Sequence, residues 1–445
     1  MKPFLVRPAL KAPRSRLSLP GDKSIAHRAI IFASLASGTT VISNFPDNED
    51  CLYTFKAFRK MGVRITIRLA GRNKYIKVYG RGRRFFRKPR GAVFVGNSGT
   101  TMRLMMGVLA GCDFMARLTA AKSLSARPML RVSVPLRMMG AQIICRKAPS
   151  KKEEYPPVTI HGRNALLPIT YRVPVASAQV KSAILLAALS AEGVTRLREP
   201  AATRDHTERM LRFFGAGVKT SGRVVSLKGP AALRSPGALY IPADISSASF
   251  FVVLAAIMPG SRISIAKVSL NPSRLGILRV LKRMGADIRI KKSNLKSAGF
   301  EPLGDITVRG GALRPVRVSA NEVPSLIDEV PLLMVAACFA RGVSVFKGVG
   351  ELRVKETDRI HSVSANLKRM GADVRVINRG GLDTVVIRGG RPLKGCRIRS
   401  FGDHRTAMSM VIAALAASGR SVLDDPGCID KSFPGFIPTL KKVLG

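Results

Sequence analysis

Residues 281–290 read LKRMGADIRI, and residues 367–376 read LKRMGADVRV. They differ only by Val for Ile at two positions. Each reads as the end of a helix. A basic, apolar last turn meets a glycine, which can take the left-handed conformation that closes a helix, and an alternating strand follows. Four further phrases share this form: FRKMGVRITI (58–67), LRMMGAQIIC (136–145), LRFFGAGVKT (211–220) and LKKVLG (440–445). The six glycines, Gly62, Gly140, Gly215, Gly285, Gly371 and Gly445, lie 78, 75, 70, 86 and 74 residues apart. Downstream of the first five comes a second short strand closed by another glycine: IKVYG, VTIHG, VSLKG, ITVRG and VVIRG. A second helical stretch lies upstream of each phrase. The repeating unit is therefore about 75 residues with two helices and several strands. Solenoid repeats are shorter, about 20–50 residues. Six copies of an α/β unit fit two domains of three units each.

The chain of 445 residues is long for one core, which agrees with two domains. The stretches 176–191, 245–258, 325–340 and 402–417 are apolar nearly all round, so they read as buried helices. Each has a Ser, Asp or Gly at or next to its first position, residues suited to a helix start. A helix start presents free N–H groups and a positive dipole end, so several starts facing one cleft would hold anions. The six cysteines form no C-x-x-C pair and read as reduced thiols of a cytoplasmic protein. No signal peptide is expected, and the longest apolar runs are too short to cross a membrane. The five histidines have no metal-ligand spacing, so no metal is expected. The net charge of +48 is spread along the whole chain without a basic block, and Trp is absent. It reads as solvated Arg and Lys with weak, non-specific polyanion binding, and no specific nucleic acid is expected.

Several short motifs carry candidate chemistry. LPGDKSIAHR (19–28) turns into a helix start that bears Lys23. GNSGTTMR (96–103) is a small-residue loop opening a helix, without the spacing of a nucleotide P-loop. SARPML (125–130) sets Arg127 before a proline, where a surface loop is the plainer reading. SAQ (177–179) opens a buried helix. TRDHTE (203–208) reads as a surface ion pair between Arg204 and Glu208. Asp328 stands at the mouth of a buried helix, where an acid must be paired or used. RVKETDR (353–359) precedes an amphipathic helix with Ile360, Val363, Leu367 and Met370 inward and Thr357 as its cap. Arg359 in its first turn opposes the helix dipole, which a bound anion would offset. GDHRTAM (402–408) repeats the device with Arg405.

GDKSIAHR, GNSGTTMR, SAQVKSA, RVKETDR and GDHRTAM, in this order over essentially the whole chain, resemble the enolpyruvyl transferases, and within them the shikimate branch. The resemblance implies an α/β, two-domain enolpyruvyl transferase-like fold, each domain made of three βαβαββ repeats. It implies one domain of residues 1–21 plus 242–445, a second of 22–241, and an active site in the cleft between them. The implied reaction moves the enolpyruvyl group of phosphoenolpyruvate to the 5-hydroxyl of shikimate 3-phosphate and releases phosphate, with no cofactor and as a monomer. By motif position, Lys23, Ser24 and Arg28 resemble shared substrate contacts. Asn97, Gly99, Thr100 and Arg127 resemble phosphoenolpyruvate contacts, joined by Arg359, Arg405 and Lys431. Ser177, Ala178, Gln179, Arg204 and Lys355 resemble the shikimate-phosphate side, with Ala where many members have Ser. Glu351 stands where some members have Asn, and no contact is carried over to it. Asp328, Glu356 and Lys23 are the implied catalytic residues, the two acids as proton carriers that each contribute roughly 10²–10⁴ in rate.

The related UDP-N-acetylglucosamine enolpyruvyl transferase carries a reactive Cys five residues before the loop Arg, and here that position is Lys122. An RNA-binding protein on a related repeat and an inactive member are two further readings. The intact set of motifs speaks against the first, and intact Lys23, Asp328 and Glu356 against the second. In this family glyphosate occupies the phosphoenolpyruvate site, and Ala in place of Gly99 is associated with resistance. Ala178 and TRDHTE resemble the less sensitive branch, whereas Gly99 implies sensitivity.

Overall fold

The computed structural model describes residues 3–70, 73–148, 151–293, 295, 299–379 and 382–445. The chain divides into two compact units. One comprises Met1–Pro20, Pro242–Asn294 and Pro302–Gly445, and the other Gly21–Ile241 and Leu295–Glu301. Each unit holds three sheets among its described residues.

One sheet of the second unit illustrates the repeat. Val93–Phe94 pairs in parallel with Met115–Thr119, which pairs antiparallel with Lys151–His161, and Gln142–Ala148 closes the edge. A buried helix, Gly99–Ala110, crosses between the two parallel strands. A second helix, Leu130–Met138, leads into the hairpin. Strands 170–172, 193–198, 224–229 and 218–221 repeat this order, as do strands 317–318, 342–347, 382–389 and 373–379 in the first unit.

Four strands are supplied from a distance, and they explain the division of the chain. Arg14–Ser18 is the leading parallel strand beside Arg262–Ser269. Phe4–Val6 pairs antiparallel with Ser421–Leu423, taking the place of the hairpin that the sixth repeat does not contain. The first twenty residues therefore belong with the C-terminal half. In the second unit, Leu233–Arg234 and Ala238–Tyr240 return to pair with Ala36–Ser43 and supply the leading strand of the first repeat. Phe300 and Glu301 also pack in the second unit. The ring of Phe300 lies 5.2 Å from that of Phe213, and Glu301 meets His206 Nδ1 at 2.5 Å, both buried.

Two kinds of glycine recur for different physical reasons, six that end helices and five that end strands. The helix-ending ones have φ of 87°, 97°, 88°, 89°, 89° and 97° in chain order, a region that favours residues without Cβ. The strand-ending ones are needed for close approach. A Cβ at Gly80, Gly162, Gly229 or Gly389 would lie 2.1–2.2 Å from a carbonyl oxygen in the last turn of the buried helix, and one at Gly310 would lie 1.8 Å away. Neighbouring amides use this approach to satisfy the helix-end carbonyls, as Gly82 N–H does for Ala36 and Gly390 N–H for Cys338.

Each core is built on three buried helices. They are Lys23–Leu35, Gly99–Ala110 and Ala178–Ala188 in one unit, and Ile245–Ile257, Val330–Phe339 and His404–Leu415 in the other. Among the described residues, no helix is long and apolar enough to cross a membrane.

Candidate functional site

Five of the six buried helices start on a Ser or Asp whose side chain accepts from the first turn: Asp22, Ser98, Ser177, Asp244 and Asp403. The caps fix these helix starts, and several predicted site residues lie just inside four of them: Lys23 and Ser24, Gly99 and Thr100, Ala178 and Gln179, and Arg405.

In the second unit, Lys23 opens its helix and pairs with Asp50 at 3.1 Å. Ser24 follows, and its carbonyl accepts from Arg28 Nη1 at 2.9 Å. Arg28 is buried, donating also to Thr207 and Ser182, each at 2.7 Å. Burial pushes its pKa down to about 10, against the pull of Glu208. Gly99 and Thr100 open the next helix behind the cap Ser98, and the Oδ1 of Asn97 is buried with no hydrogen-bond partner among the described residues. Gln179 donates to Thr100 Oγ1 at 2.9 Å and accepts from Arg103 at 2.7 Å. These bonds tie the helix carrying Gly99 to the one opened by Ser177 and Ala178. The two helices lie so close that a Cβ on Gly107 would sit 2.1 Å from the Ala183 carbonyl. A buried chain, His27–Thr54–Thr101–Ser98, with links of 2.7, 2.7 and 2.8 Å, joins three helices below the site. Burial, then Lys23 and Arg28, holds His27 well below the ordinary histidine pKa, so it is neutral. Arg127 reaches Ser123 at 3.3 Å, and a Cβ on Gly99 would lie 3.6 Å from its guanidinium.

In the first unit, the centre is Arg359, only 1% exposed. Its guanidinium contacts Asp403 at 3.0 Å, Asp328 at 3.3 Å and Glu356 at 2.5 Å. Burial alone would lower its pKa, but Asp403, Glu356 and Asp328 outweigh that and raise it. Burial would raise the Asp403 pKa, but Arg359 and His404 hold it below the ordinary value. Lys355 is half-buried, and burial lowers its pKa. Arg405 donates to the Asp328 carbonyl at 3.0 Å and lies 3.6 Å from Glu329. Lys431 reaches the Gly402 carbonyl at 3.3 Å.

Four expectations from the sequence are corrected. Arg204 and Glu208 form no surface pair: Glu208 turns inward and meets the buried Lys181 at 2.7 Å, which also holds Glu199 at 2.9 Å. Those two carboxylates outweigh burial and raise the Lys181 pKa. The cap before Arg359 is Asp358, accepting from His361 N–H at 3.0 Å, and not Thr357. A carboxylate accepts the first-turn amide with more charge than a hydroxyl, and it also takes Arg353 at 2.7 Å. The charge of Arg359 at the helix start is offset by three carboxylates of the chain. The helix near Asp328 begins at Val330, with Pro331 in its first turn, and not at Ser325, so Asp328 stands just before it. Ile360, Val363, Leu367 and Met370 do face inward.

Sequence reasoning missed Asp50, Arg103, Asp403, Ser246, Arg274 and Glu329. Arg103 and Asp403 lie inside the quoted motifs GNSGTTMR and GDHRTAM. The scarcity of acids, 27 in the chain, marks each buried carboxylate as one that needs a reason. No group of three potential metal ligands is present among the described residues.

Comparison with known proteins adds to this geometry. A sequence model of the EPSP synthase (3-phosphoshikimate 1-carboxyvinyltransferase) family matches residues 10–440. The 3-phosphoshikimate 1-carboxyvinyltransferase of Desulforamulus reducens is 47% identical over 440 residues, covering 99% of each chain. That of Geobacillus kaustophilus is 47% identical over 433 residues, covering 97% of this chain and 98% of its own. Among solved structures, the EPSP synthase of Acinetobacter baumannii superposes with a TM-score of 0.86 at 42% identity, covering 100% of this chain and 98% of that one. The enolpyruvyl transferase NikO of Streptomyces tendae, at 18% identity, shares the fold with a TM-score of 0.77 over 99% of this chain and 97% of its own.

Proposed function

Because the chain belongs to the EPSP synthase (3-phosphoshikimate 1-carboxyvinyltransferase) family, we propose that the residues gathered on its two units act together on phosphoenolpyruvate and shikimate 3-phosphate. The 5-hydroxyl oxygen of shikimate 3-phosphate attacks C2 of phosphoenolpyruvate and gives up its proton, while C3 accepts one. The tetrahedral adduct then breaks its C2–O bond to phosphate, loses a proton from C3, and leaves the enolpyruvyl ether. Phosphate leaves as an anion, so the step is favoured by fixed cations around it.

Asp328 and Glu356 carry the protons. The observation behind this reading is that one buried guanidinium, Arg359, holds both carboxylates. Its Nε, Nη1 and Nη2 donate to Asp403, Asp328 and Glu356 in turn, and a guanidinium has five N–H donors, so among the described residues capacity remains for phosphoenolpyruvate. Arg405, Lys431 and Arg127 are assigned to phosphoenolpyruvate as further cations. Asn97, Gly99 and Thr100 are assigned to it as backbone and side-chain donors. Ser177, Ala178, Gln179, Arg204 and Lys355 take shikimate 3-phosphate, while Lys23, Ser24 and Arg28 serve both substrates. Both substrates are phosphorylated carboxylates, each with about −2.5 to −3 charge at neutral pH, so a site rich in helix starts and cations suits them. This reading has a monomer working in the cytoplasm, with the six thiols free.

The test is phosphate release. Phosphate is expected only with both substrates present and without added metal. Release with UDP-N-acetylglucosamine in place of shikimate 3-phosphate would overturn the assignment.

A further inference from the structure

The stretch ISSASFF (245–251), part of a buried helix, holds a hydroxyl that touches the site. Ser246 lies in the first turn of Ile245–Ile257 and is 4% exposed. Its Oγ donates to the buried carboxylate of Glu329. It accepts from Arg274 Nη2 at 2.6 Å and from Arg405 Nη2 at 3.4 Å. A serine hydroxyl has one proton and two lone pairs, so this one has no capacity left over. The same two arginines flank Glu329 at 3.5 and 3.6 Å. Arg405 is held from its other side by the Asp328 carbonyl. Among the described residues, the hydroxyl thus joins Arg405 to a buried guanidinium and a buried carboxylate, and each contact constrains where the Arg405 fork points.

We propose that Ser246 is a positioning residue for the enolpyruvyl donor: it orients Arg405 for the anion of phosphoenolpyruvate without touching substrate itself. This rests on the reading of Arg405 as a phosphoenolpyruvate cation. The hydroxyl is neutral, so removing it leaves the site's charge unchanged and alters only the freedom of Arg405. That freedom must then be lost on binding, which raises KM for the ligand Arg405 meets. The Glu329 charge is a poorer probe, because its loss also changes the field felt by an anion.

The experiment compares Ser246→Ala, Ser246→Thr and Ser247→Ala in steady-state assays with each substrate varied in turn. Ser247 lies in the same helical turn and is also buried. Ser246→Ala is expected to raise KM for phosphoenolpyruvate about tenfold, with kcat and KM for shikimate 3-phosphate within about twofold. Ser246→Thr keeps the hydroxyl and is expected to recover most of the loss. Ser247→Ala is expected to match the parent. An Ala-to-Thr ratio of KM for phosphoenolpyruvate below about two overturns the proposal. So does an equal rise in both KM values, or an effect of Ser247→Ala as large as that of Ser246→Ala. Arg405→Gln separates the two levels. If it leaves KM for phosphoenolpyruvate unchanged, the assignment of Arg405 fails. If it raises that KM while Ser246→Ala does not, the role of Ser246 alone fails.

Discussion

Arg359→Met removes one guanidinium from three carboxylates, and the expected loss depends on pH. In the parent, Arg359 contacts Asp403 at 3.0 Å and Asp328 at 3.3 Å, with Glu356 beside them. Asp403 has no exposed side-chain surface. Breaking a buried pair and leaving the acid uncompensated costs about 3–5 kcal/mol. For a unit of this size that lowers Tm by about 6–20 °C. The sign with pH follows from linkage. The folded parent holds Asp403 below its ordinary pKa of about 3.9. The unfolded state then binds more protons in that region, and the pairing stabilises the parent above about pH 4 and is lost as pH falls through the lower folded value. In the variant, burial without the guanidinium, its largest opposing cause, moves the Asp403 pKa upward, so folding there favours the protonated acid more than in the parent. The difference between parent and variant should therefore shrink by about 1.4 kcal/mol for each pH unit over which Asp403 is ionised in the parent and protonated in the variant. Urea unfolding of both proteins at pH 7 and pH 4 measures this. An equal loss at the two pH values would refute the argument, because the cost would then come from lost packing and not from an uncompensated charge. A loss below about 1 kcal/mol at pH 7 would do the same.

Three other outcomes are expected. Asp328→Asn and Glu356→Gln should each lower turnover by roughly 10²–10⁴ with small changes in both KM values, and near-parental turnover in either variant would remove that residue from proton transfer. Gly99→Ala places a Cβ 2.9 Å from Arg103 Nη1 and 3.6 Å from Arg127 Nη1. The guanidinium must then give way, so an inhibition series should show glyphosate weakened about tenfold and phosphoenolpyruvate less, as for a modest overpacking cost; equal inhibition constants for both forms would show that residue 99 does not shape that pocket. Gly389→Ala presses a methyl to 2.1 Å from the Ala337 carbonyl, whereas Gly371→Ala meets nothing within 4 Å and suffers only its φ of 89°. Unfolding should show the first losing about 1–3 kcal/mol or more from crowding and the second about 1–2 from left-handed backbone, and a stable Gly389→Ala protein would mean the strand and helix can move apart.

The sequence by itself determined the repeat, because its causes are local. A glycine that ends a helix acts through its own φ, and a glycine that lets a strand pass a helix end closes the hairpin 14 to 25 residues after it. Six copies of one phrase therefore determined the number of units, and the apolar runs determined the buried helices with polar starts. The caps Asp22, Ser98, Ser177 and Asp403 were within reach for the same reason, since a cap bonds within its own turn. Only the tertiary structure decided what those starts meet. Glu208 was misread because helical spacing shows which residues share a face but not which face is buried, and the partner that drew it inward, Lys181, lies 27 residues away. Arg359 looked like a cation awaiting an anion because two of its three carboxylates, Asp328 and Asp403, stand 31 and 44 residues away. The strand pairing of Arg14–Ser18 with Arg262–Ser269, and the hydroxyl of Ser246 between Arg274 and Arg405, likewise depend on segments that only folding brings together. An ion pair or a ladder forms between surfaces, and one chain position carries no mark of the surface that will lie against it.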